Sequence, residues 1–233
     1  MAALSTAQVK AIATDDLAAM ETGLFHLRLH DDGTVHSTLW QAVDFPLPAM
    51  RFNDGRTDRQ GRFIAGTMVM NMGLASRAGT LYRFDAAGLV PVLGDLITPN
   101  GLGFSPDQQT LYLSDSHPQV QKIWAFDFDL ETGNLSNRRL FADMTTLPGR
   151  PDGAAVDAAG NYWSCGNDAG QVHRFSPQGT LLQSIAVPVS KPAMCAFGGP
   201  ELRHLFITSI RPAAPVPGFD AALDGALLVL EPG

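Results

Sequence analysis

Short runs of alternating apolar and polar residues recur along the chain and predict β-strands. The clearest run, Gly23–Leu29, alternates and ends at the turn signal Asp31-Asp32-Gly33. Related runs follow at intervals of about 40 to 55 residues, at Gly79–Asp85, Lys122–Asp127, Gly170–Phe175 and Gly225–Leu230. Several strands per unit at such a period are typical of a β-propeller, and the long apolar stripes of a helical solenoid are missing. The pattern therefore predicts an all-β propeller.

A second half-repeat begins at turn pairs in which an amide or a carboxylate stands next to glycine. These pairs are Asn53-Asp54-Gly55, Asn100-Gly101 and Asp152-Gly153, and each leads into an apolar strand. An aspartate precedes the tight turn of each half-repeat, at Asp58, Asp107 and Asp157, where it is expected to form the turn. Residues at equivalent positions of a repeat occupy equivalent positions in each structural unit. Asn53, Asn100 and Asp152 should therefore lie together at the mouth of the channel.

The start of the chain fits this repeat poorly. Val9–Thr14 reads as a strand and Asp15–Met20 as a turn or a short helix, so no complete half-repeat precedes Gly23–Leu29. The first unit is therefore either too divergent to recognise or incomplete. An incomplete unit would leave strand edges unpaired, and unpaired edges recruit other chains.

Composition narrows the class of protein. With 45% hydrophobic residues, 23 Gly and 16 Pro, the 233 residues suit one all-β domain that spans residues 1–233. A net charge of −7 without a basic run argues against nucleic acid or an anionic membrane as a partner, and no apolar stretch has the length of a membrane span. Without a secretory signal, and with Cys165 and Cys195 expected to be buried free thiols, the sequence predicts a cytoplasmic protein.

The three polar pairs are the candidate chemistry. Asn53, Asn100 and Asp152 offer only oxygen atoms, the donors that a hard divalent cation prefers, and water would complete the coordination. Turn formation is the commoner reason for such pairs, but their recurrence at the equivalent position of three repeats supports a shared site. Arg51, beside Asn53, adds a donor for an oxyanion or a carboxylate. The six histidines form no ligand pattern.

Four ordered motifs resemble those of the regucalcin and gluconolactonase family. The first and most specific is Arg51–Met68, which reads RFNDGRTDRQGRFIAGTM. The others are Ile97–Leu102 with Leu111–Ser116, Pro151-Asp152-Gly153 with Val156-Asp157, and Phe197-Gly198-Gly199. The resemblance runs from about residue 9 to the end of the chain.

The resemblance implies a six-bladed propeller with one divalent metal ion (Ca, Zn, Mg or Mn) in its channel, which hydrolyses a sugar lactone to the aldonic acid. By resemblance, Asn100 and Asp152 take the metal-ligand places of the family, and Asp152 is also its catalytic carboxylate. Arg51 and Asn53 take places that contact the substrate.

One departure from the family changes this expectation. Members begin with a further segment, a Gly-Glu-Gly-Pro-like motif whose glutamate binds the metal, and nothing in this chain matches it. We therefore expect about five blades of the six-bladed type, with the first blade missing or incomplete and with self-association through unpaired blade edges. The alternatives to a lactonase are a non-catalytic propeller that binds a small molecule or a protein, and an inactive short form of the enzyme.

Overall fold

The computed structural model describes residues 2–3, 15–86 and 88–232, which form five antiparallel β-sheets. Val9–Thr14, for which the sequence predicts a strand, lies outside the described residues. Residues 15–20 were expected to form a turn or a short helix, but Asp15–Ala19 is a strand that pairs with Gly23–Leu29. The segment has only a weak local preference, and pairing with the strand Gly23–Leu29 decides its conformation, because strand formation depends on cross-strand contacts.

The strands are, in chain order, β1 (Ala2–Ala3), β2 (Asp15–Ala19), β3 (Gly23–Leu29), β4 (Val35–Ala42), β5 (Met50–Thr57), β6 (Phe63–Val69), β7 (Gly79–Asp85), β8 (Gly88–Leu96), β9 (Pro99–Phe104), β10 (Thr110–Asp115), β11 (Lys122–Phe128), β12 (Leu135–Asp143), β13 (Arg150–Val156), β14 (Tyr162–Asn167), β15 (Gln171–Phe175), β16 (Leu181–Ala186), β17 (Pro192–Gly198), β18 (His204–Ser209) and β19 (Leu227–Leu230). Short 3₁₀ helices lie at Met72–Leu74, Met144–Thr146, Pro200–Leu202 and Ala221–Leu223. Within the described ranges, none of the helices is long and apolar enough to cross a membrane.

The sheets are arranged radially. β5–β8, β9–β12 and β13–β16 each form a sheet in sequence order. Their first strands pack side by side, β5 on β9 and β9 on β13, and β13 packs in turn on β17. Every residue of β9 is buried, whereas the fourth strands β12 and β16 are largely exposed. The first strands therefore line the centre, as in a propeller, and the recurring alternating runs are all third strands.

The hydrophobic core is divided into layers, each shared by neighbouring sheets. Representative members are Ile64, Leu81 and Phe126 in one cluster, Tyr112, Ile123 and Tyr162 in the next, and Trp163, Val172 and Ile207 in a third. Cys165 and Cys195 belong to the third cluster and are free and fully buried, which confirms the prediction made for them. Since each apolar layer needs two sheets, the contacts between blades set the orientation of the inner strands.

The two ends of this arc differ from the middle. β17, β18 and β19 gain a fourth strand from β1, which pairs Ala2 with Val229 and Ala3 with Leu228. The β2–β3–β4 sheet has three strands, and β2 corresponds to the second strand of the other sheets. The prediction of an all-β propeller with about five blades is thus confirmed, and the described residues leave the first-strand position of one blade unfilled.

The turn aspartates behave as the sequence predicts. Asp58, Asp107 and Asp157 each accept a hydrogen bond from the backbone N–H two positions later, at 2.9, 3.0 and 3.0 Å. Such side-chain bonds hold the chain in the tight turn between the first and second strands. Their role as turn formers is therefore confirmed.

Asp58 also joins two blades. Its side chain is buried, and its Oδ2 accepts a hydrogen bond from Nε of Arg62 at 2.6 Å. The same guanidinium donates to the carbonyl oxygens of Leu130 and Glu131, in the β11–β12 turn of the next sheet, at 2.9 and 3.0 Å. The carboxylate thus neutralises a buried cation that bridges neighbouring blades.

Asp58→Ala should therefore destabilise the protein far more than Asp107→Ala does. Removing Asp58 leaves the Arg62 guanidinium buried without its counter-charge, a change that costs about 3 to 5 kcal/mol. Asp107 is exposed and forms only local bonds, so its loss costs about 1 kcal/mol. Denaturant unfolding measures both values, and equal losses would show that the bridge between blades does not stabilise the fold.

Candidate functional site

The polar pairs at the channel mouth all lie at interruptions of the strand ladder. The β5–β6 register shifts across Asn53, the β13–β14 register shifts across Asp152, and the β9–β10 register shifts just after Asn100. A bulge leaves residues outside the ladder and redirects their side chains. Asn53 and Asp152 therefore lie outside the regular ladder, and Asn100 is the paired residue next to the third bulge.

Asp152 is the residue at which these side chains converge. Its Oδ1 accepts a hydrogen bond from Nδ2 of Asn100 at 2.6 Å, and its Oδ2 accepts one from Nδ2 of Asn167 at 2.7 Å. Both asparagines are buried, with exposed fractions of 7% and 2%. The structure thus brings Asn100 and Asp152 together, as the repeat predicts, and adds Asn167 on the other side of the carboxylate.

The electrostatic environment opposes a negative charge on Asp152. Burial raises the pKa of its carboxyl to about 6, and the nearby charge of Asp54 acts in the same direction. The hydrogen bonds from Asn100 and Asn167 and the charge of Arg150 lower this pKa but do not offset burial. Two neighbouring carboxyls in a poorly hydrated place favour the binding of a proton or of another cation.

Asp54, which the sequence analysis treated only as part of a turn, is a buried structural link. Its Oδ2 accepts the backbone N–H of Leu102 at 2.9 Å, and its Oδ1 accepts that of Gly55 at 2.9 Å. Burial raises the pKa of Asp54, against the lowering effect of the Leu102 bond. The carboxyl of Asp54 on β5 therefore holds β9 beside β5.

Gly101 occupies a position that only glycine fits. Its φ is +60°, and a Cβ there would lie 2.4 Å from the hydroxyl oxygen of Tyr162. That hydroxyl donates to the carbonyl oxygen of Gly101 at 2.6 Å. The Asn-Gly pair is thus both a bulge and a close approach between sheets, which places the side chain of Asn100 against Asp152.

The two residues expected to contact substrate lie beside this centre. Nδ2 of Asn53 donates to the carbonyl oxygen of Pro99, the residue before Asn100, at 3.0 Å. Nη1 of Arg51 donates to the carbonyl oxygen of Phe52 at 2.8 Å. Both side chains are half-buried, and Arg51 forms no ion pair within the described part of the chain.

Asn167 is a site residue that the sequence analysis missed. It ends β14, and besides its bond to Asp152 its Nδ2 donates to the carbonyl oxygen of Pro192 at the start of β17, at 3.2 Å. Its only sequence signal is that it begins the Asn167–Gly170 turn, a pattern common to many turns. Its place at the mouth depends on how two blades pack.

The donor set fits a hard cation. Within residues 2–3, 15–86 and 88–232, no three His, Cys, Asp or Glu side chains converge on a common point. The candidate site instead combines the Asp152 carboxylate with the amides of Asn100 and Asn167, whose oxygens can face a cation after rotation about the last side-chain bond. Carboxylate and amide oxygens are ligands typical of calcium and magnesium.

The sequence also matches a known family model. The model describes an SMP-30/gluconolactonase/LRE-like region, and it matches residues 3–211. This stretch includes every residue of the mouth described above. The match therefore covers the site as well as most of the blades.

Relatives of several names share this region. The chain is 46% identical to a 6-deoxy-6-sulfogluconolactonase of Pseudomonas putida, over 69% of this chain and 54% of the relative. It is 37% identical to regucalcin of Xenopus laevis, over 72% and 57%, and 36% identical to a pentonolactonase of Haloferax volcanii, over 72% and 55%. The chain thus spans about half the length of the curated relatives that it matches.

Solved structures of the same family have the same fold. A luciferin-regenerating enzyme superposes with a TM-score of 0.80 at 26% identity, over 94% of this chain and 74% of the other. The calcium-binding protein regucalcin of Agrobacterium tumefaciens also gives 0.80, at 28% identity, over 94% and 72%. These likenesses and the family match agree with the resemblance stated from the motifs. The chain belongs to the SMP-30/gluconolactonase/LRE-like family.

Proposed function

We propose that this chain carries the active site of a sugar lactonase, which adds water to the cyclic ester of an aldonic acid and releases the open acid. The observation that carries the proposal is the Asp152 carboxylate, held at the channel mouth by two buried amides and with its pKa raised to about 6. The names of the lactonase relatives support the same reaction class.

Asp152 has the properties of a general base. A pKa of about 6 leaves the carboxylate mainly ionised at pH 7, yet more basic than an ordinary aspartate. The bonds from Asn100 and Asn167 hold both carboxylate oxygens in place. The carboxylate can therefore orient a water molecule and accept its proton while the water adds to the ester carbonyl.

Arg51 and Asn53 would hold the substrate. The Arg51 guanidinium has five N–H donors, and one of them is engaged in its bond to Phe52. The remaining donors can bind the oxygen that becomes negative when water adds to the carbonyl, or the hydroxyl groups of the sugar. Asn53 lies on the neighbouring bulge and contributes an amide to the same group of donors.

The residues at the mouth fit a divalent metal ion, with Ca²⁺, Zn²⁺, Mg²⁺ and Mn²⁺ as candidates. Asp152 would supply the charged ligand and Asn100 a neutral amide oxygen, and Asn167 lies close enough to the carboxylate to supply a second one. Such an ion, when bound, polarises a carbonyl and lowers the pKa of a bound water. It would also relieve the repulsion that Asp152 and Asp54 create.

We further propose that the five sheets are five blades of a six-bladed ring. Two observations support this: the β2–β4 sheet lacks a described inner strand, and the chain covers 74% and 72% of the luciferin-regenerating enzyme and the Agrobacterium regucalcin. Open blade edges would then promote self-association of the isolated chain. The buried free thiols Cys165 and Cys195 are compatible with a cytoplasmic location.

The rival function is a non-catalytic one, in which the mouth binds a small molecule or a protein, or belongs to an inactive short form. The span of about half the relatives' length is the observation that favours it. A metal titration combined with a lactone hydrolysis assay separates the two functions. Binding of a ligand without turnover of any lactone would support the rival.

Asp152→Ala should abolish binding of Ca²⁺ and of the other divalent ions. The substitution removes the charged ligand and leaves only amide oxygens, and ligand charge determines affinity at such sites. Isothermal calorimetry measures the loss, and Asp107→Ala, which removes an exposed carboxylate at a turn, is the matched control. Undiminished binding by the Asp152→Ala protein would contradict the metal assignment.

The raised pKa of Asp152 predicts a specific pH dependence of metal-free stability. The folded chain binds this proton more tightly than the unfolded chain, whose aspartates have a pKa of about 3.9. The contribution of Asp152 to stability is therefore present below about pH 4 and is lost as the pH rises through about 6, by about 3 kcal/mol.

The comparison that isolates this effect is with Asp152→Asn, which does not titrate. Relative to the wild type, the variant should gain about 2.4 kcal/mol of unfolding free energy between pH 4 and pH 7.5. Aspartates with a lowered pKa, such as Asp107 and Asp127, make the protein more stable as the pH rises. Their contribution is the same in the wild type and the variant, so it cancels when the two unfolding free energies are subtracted. Chemical unfolding in a chelating buffer provides the data, and a difference that does not change with pH would refute the prediction.

Fusion of a leading segment of the family type should raise metal affinity, lactonase turnover and the monomeric fraction together. Such a segment supplies both a further blade and the glutamate of the Gly-Glu-Gly-Pro-like motif. The control is the same segment with glutamine in place of that glutamate, which should restore the monomer but not the affinity. Calorimetry, turnover of gluconolactone and light scattering report the three quantities. Full turnover by an unfused monomer would show that the blade is dispensable.

A further inference from the structure

A cluster of one acid and two cations lies beside the Asp152 site. The carboxylate of Asp168 accepts a hydrogen bond from Nε of Arg150 at 2.8 Å and another from Nζ of Lys191. Arg150 is two residues before Asp152 on β13, Asp168 follows Asn167 after the end of β14, and Lys191 immediately precedes β17. Three segments from two blades thus place charged side chains at the same end of the channel.

The cluster contacts the active centre through Asn167. Nη2 of Arg150 lies 3.4 Å from the amide oxygen of Asn167, whose nitrogen donates to Asp152 at 2.7 Å. One side-chain amide therefore separates the guanidinium from the carboxylate. A ligand whose reacting carbonyl lies at Asp152 would therefore have the Arg150 guanidinium as a neighbour, one side-chain amide away.

The charges of the cluster do not cancel. The single carboxylate of Asp168 is shared by the two cations. The cluster thus holds one more basic than acidic side chain, and the next carboxylate, that of Asp152, lies beyond Asn167. The net charge of the whole chain is −7. A purely structural bridge between β13 and the β14–β15 turn would need only Arg150.

Both cations retain donors that the protein uses weakly or not at all. Apart from its bond to Asp168, the Arg150 guanidinium has only long contacts, at 3.3 and 3.4 Å to Ser116 and 3.4 Å to Asn167. Within the described residues, Lys191 uses one of its three N–H donors. The two side chains are 22% and 30% exposed, so a ligand can reach them while part of their hydration is excluded.

We propose that Arg150 and Lys191 form an anion subsite that selects lactones bearing a second, permanently anionic substituent away from the reacting carbonyl. A sulfonate, a phosphate or a carboxylate would satisfy this chemistry, since each presents several oxygen acceptors to a guanidinium and an ammonium group. The inference rests on the proposed function for the placement of the ring at Asp152. It adds the substrate class: acidic sugar lactones rather than neutral ones.

Binding of product-type ligands to the intact chain tests the subsite without requiring turnover. Calorimetry would compare gluconate with 6-phosphogluconate, with glucarate and 6-deoxy-6-sulfogluconate as carboxylate and sulfonate arms. The second anion should lower Kd by about tenfold, the effect of one additional hydrogen bond to a charged group. The arm with the largest gain identifies the substituent that the subsite prefers.

The variants assign the effect to the cluster. Lys191→Gln leaves the Arg150–Asp168 pair intact, so the fold should persist, and the preference for the second anion should disappear. Lys191→Arg should retain it. Arg139→Gln removes an ion-paired arginine from the outer strand β12, far from the mouth, and should also retain it.

Each outcome separates the subsite from the proposed function. A chain that hydrolyses no lactone but keeps the preference, and loses it in Lys191→Gln, supports the subsite and overturns the lactonase proposal. Hydrolysis of neutral gluconolactone without any preference overturns the subsite alone. A wild-type chain that binds all four ligands equally, or binds none of them, also overturns it, as does an equal loss in Arg139→Gln.

Discussion

The carboxylate of Asp152, buried between the amides of Asn100 and Asn167, is the interaction on which the rest of the site depends. Burial alone would disfavour its charge, and the nearby Asp54 adds to this effect. The two amide bonds keep the group oriented and partly offset the penalty. Such a carboxylate favours the binding of a proton or of another cation.

The propeller provides the rigid frame for this balance. Apolar layers between sheets fix the inner strands, and Asn53, Asn100 and Asp152 lie in or next to the bulges on β5, β9 and β13. Close approaches such as that of Gly101 to Tyr162 leave no space for alternative arrangements. Loops at the rim can then differ among relatives without disturbing the centre, which is compatible with one family that contains lactonases of several names.

The end of the arc is where this chain differs most from the rest of the fold. Three of the sheets are complete within themselves, one borrows β1, and the β2–β4 sheet lacks a described first strand. In a propeller each inner strand contributes to the channel wall. The first-strand position of the β2–β4 sheet is therefore part of the same wall as β5, β9 and β13, although it is remote from them in sequence.

Periodicity and the motifs determined much of this without coordinates. The alternating runs predicted the third strands, and the turn aspartates were assigned correctly, because these features depend on local spacing along a repeat. The glycine pairs predicted the contact between Asn100 and Asp152, whereas Asn53 bonds to the backbone of Pro99. The sequence could not show that Asp15–Ala19 is a strand, because its partner strand decides its conformation.

Tertiary structure decided the remaining features of the site. Asn167 and Asp54 join the site because neighbouring blades pack at one angle, and the pKa of Asp152 is raised because that packing excludes water. The Arg150–Asp168–Lys191 cluster arises in the same way, from segments of two blades that carry no motif. Local spacing specifies which side chains share a face, but only the packing of blades determines the distances and the hydration between them.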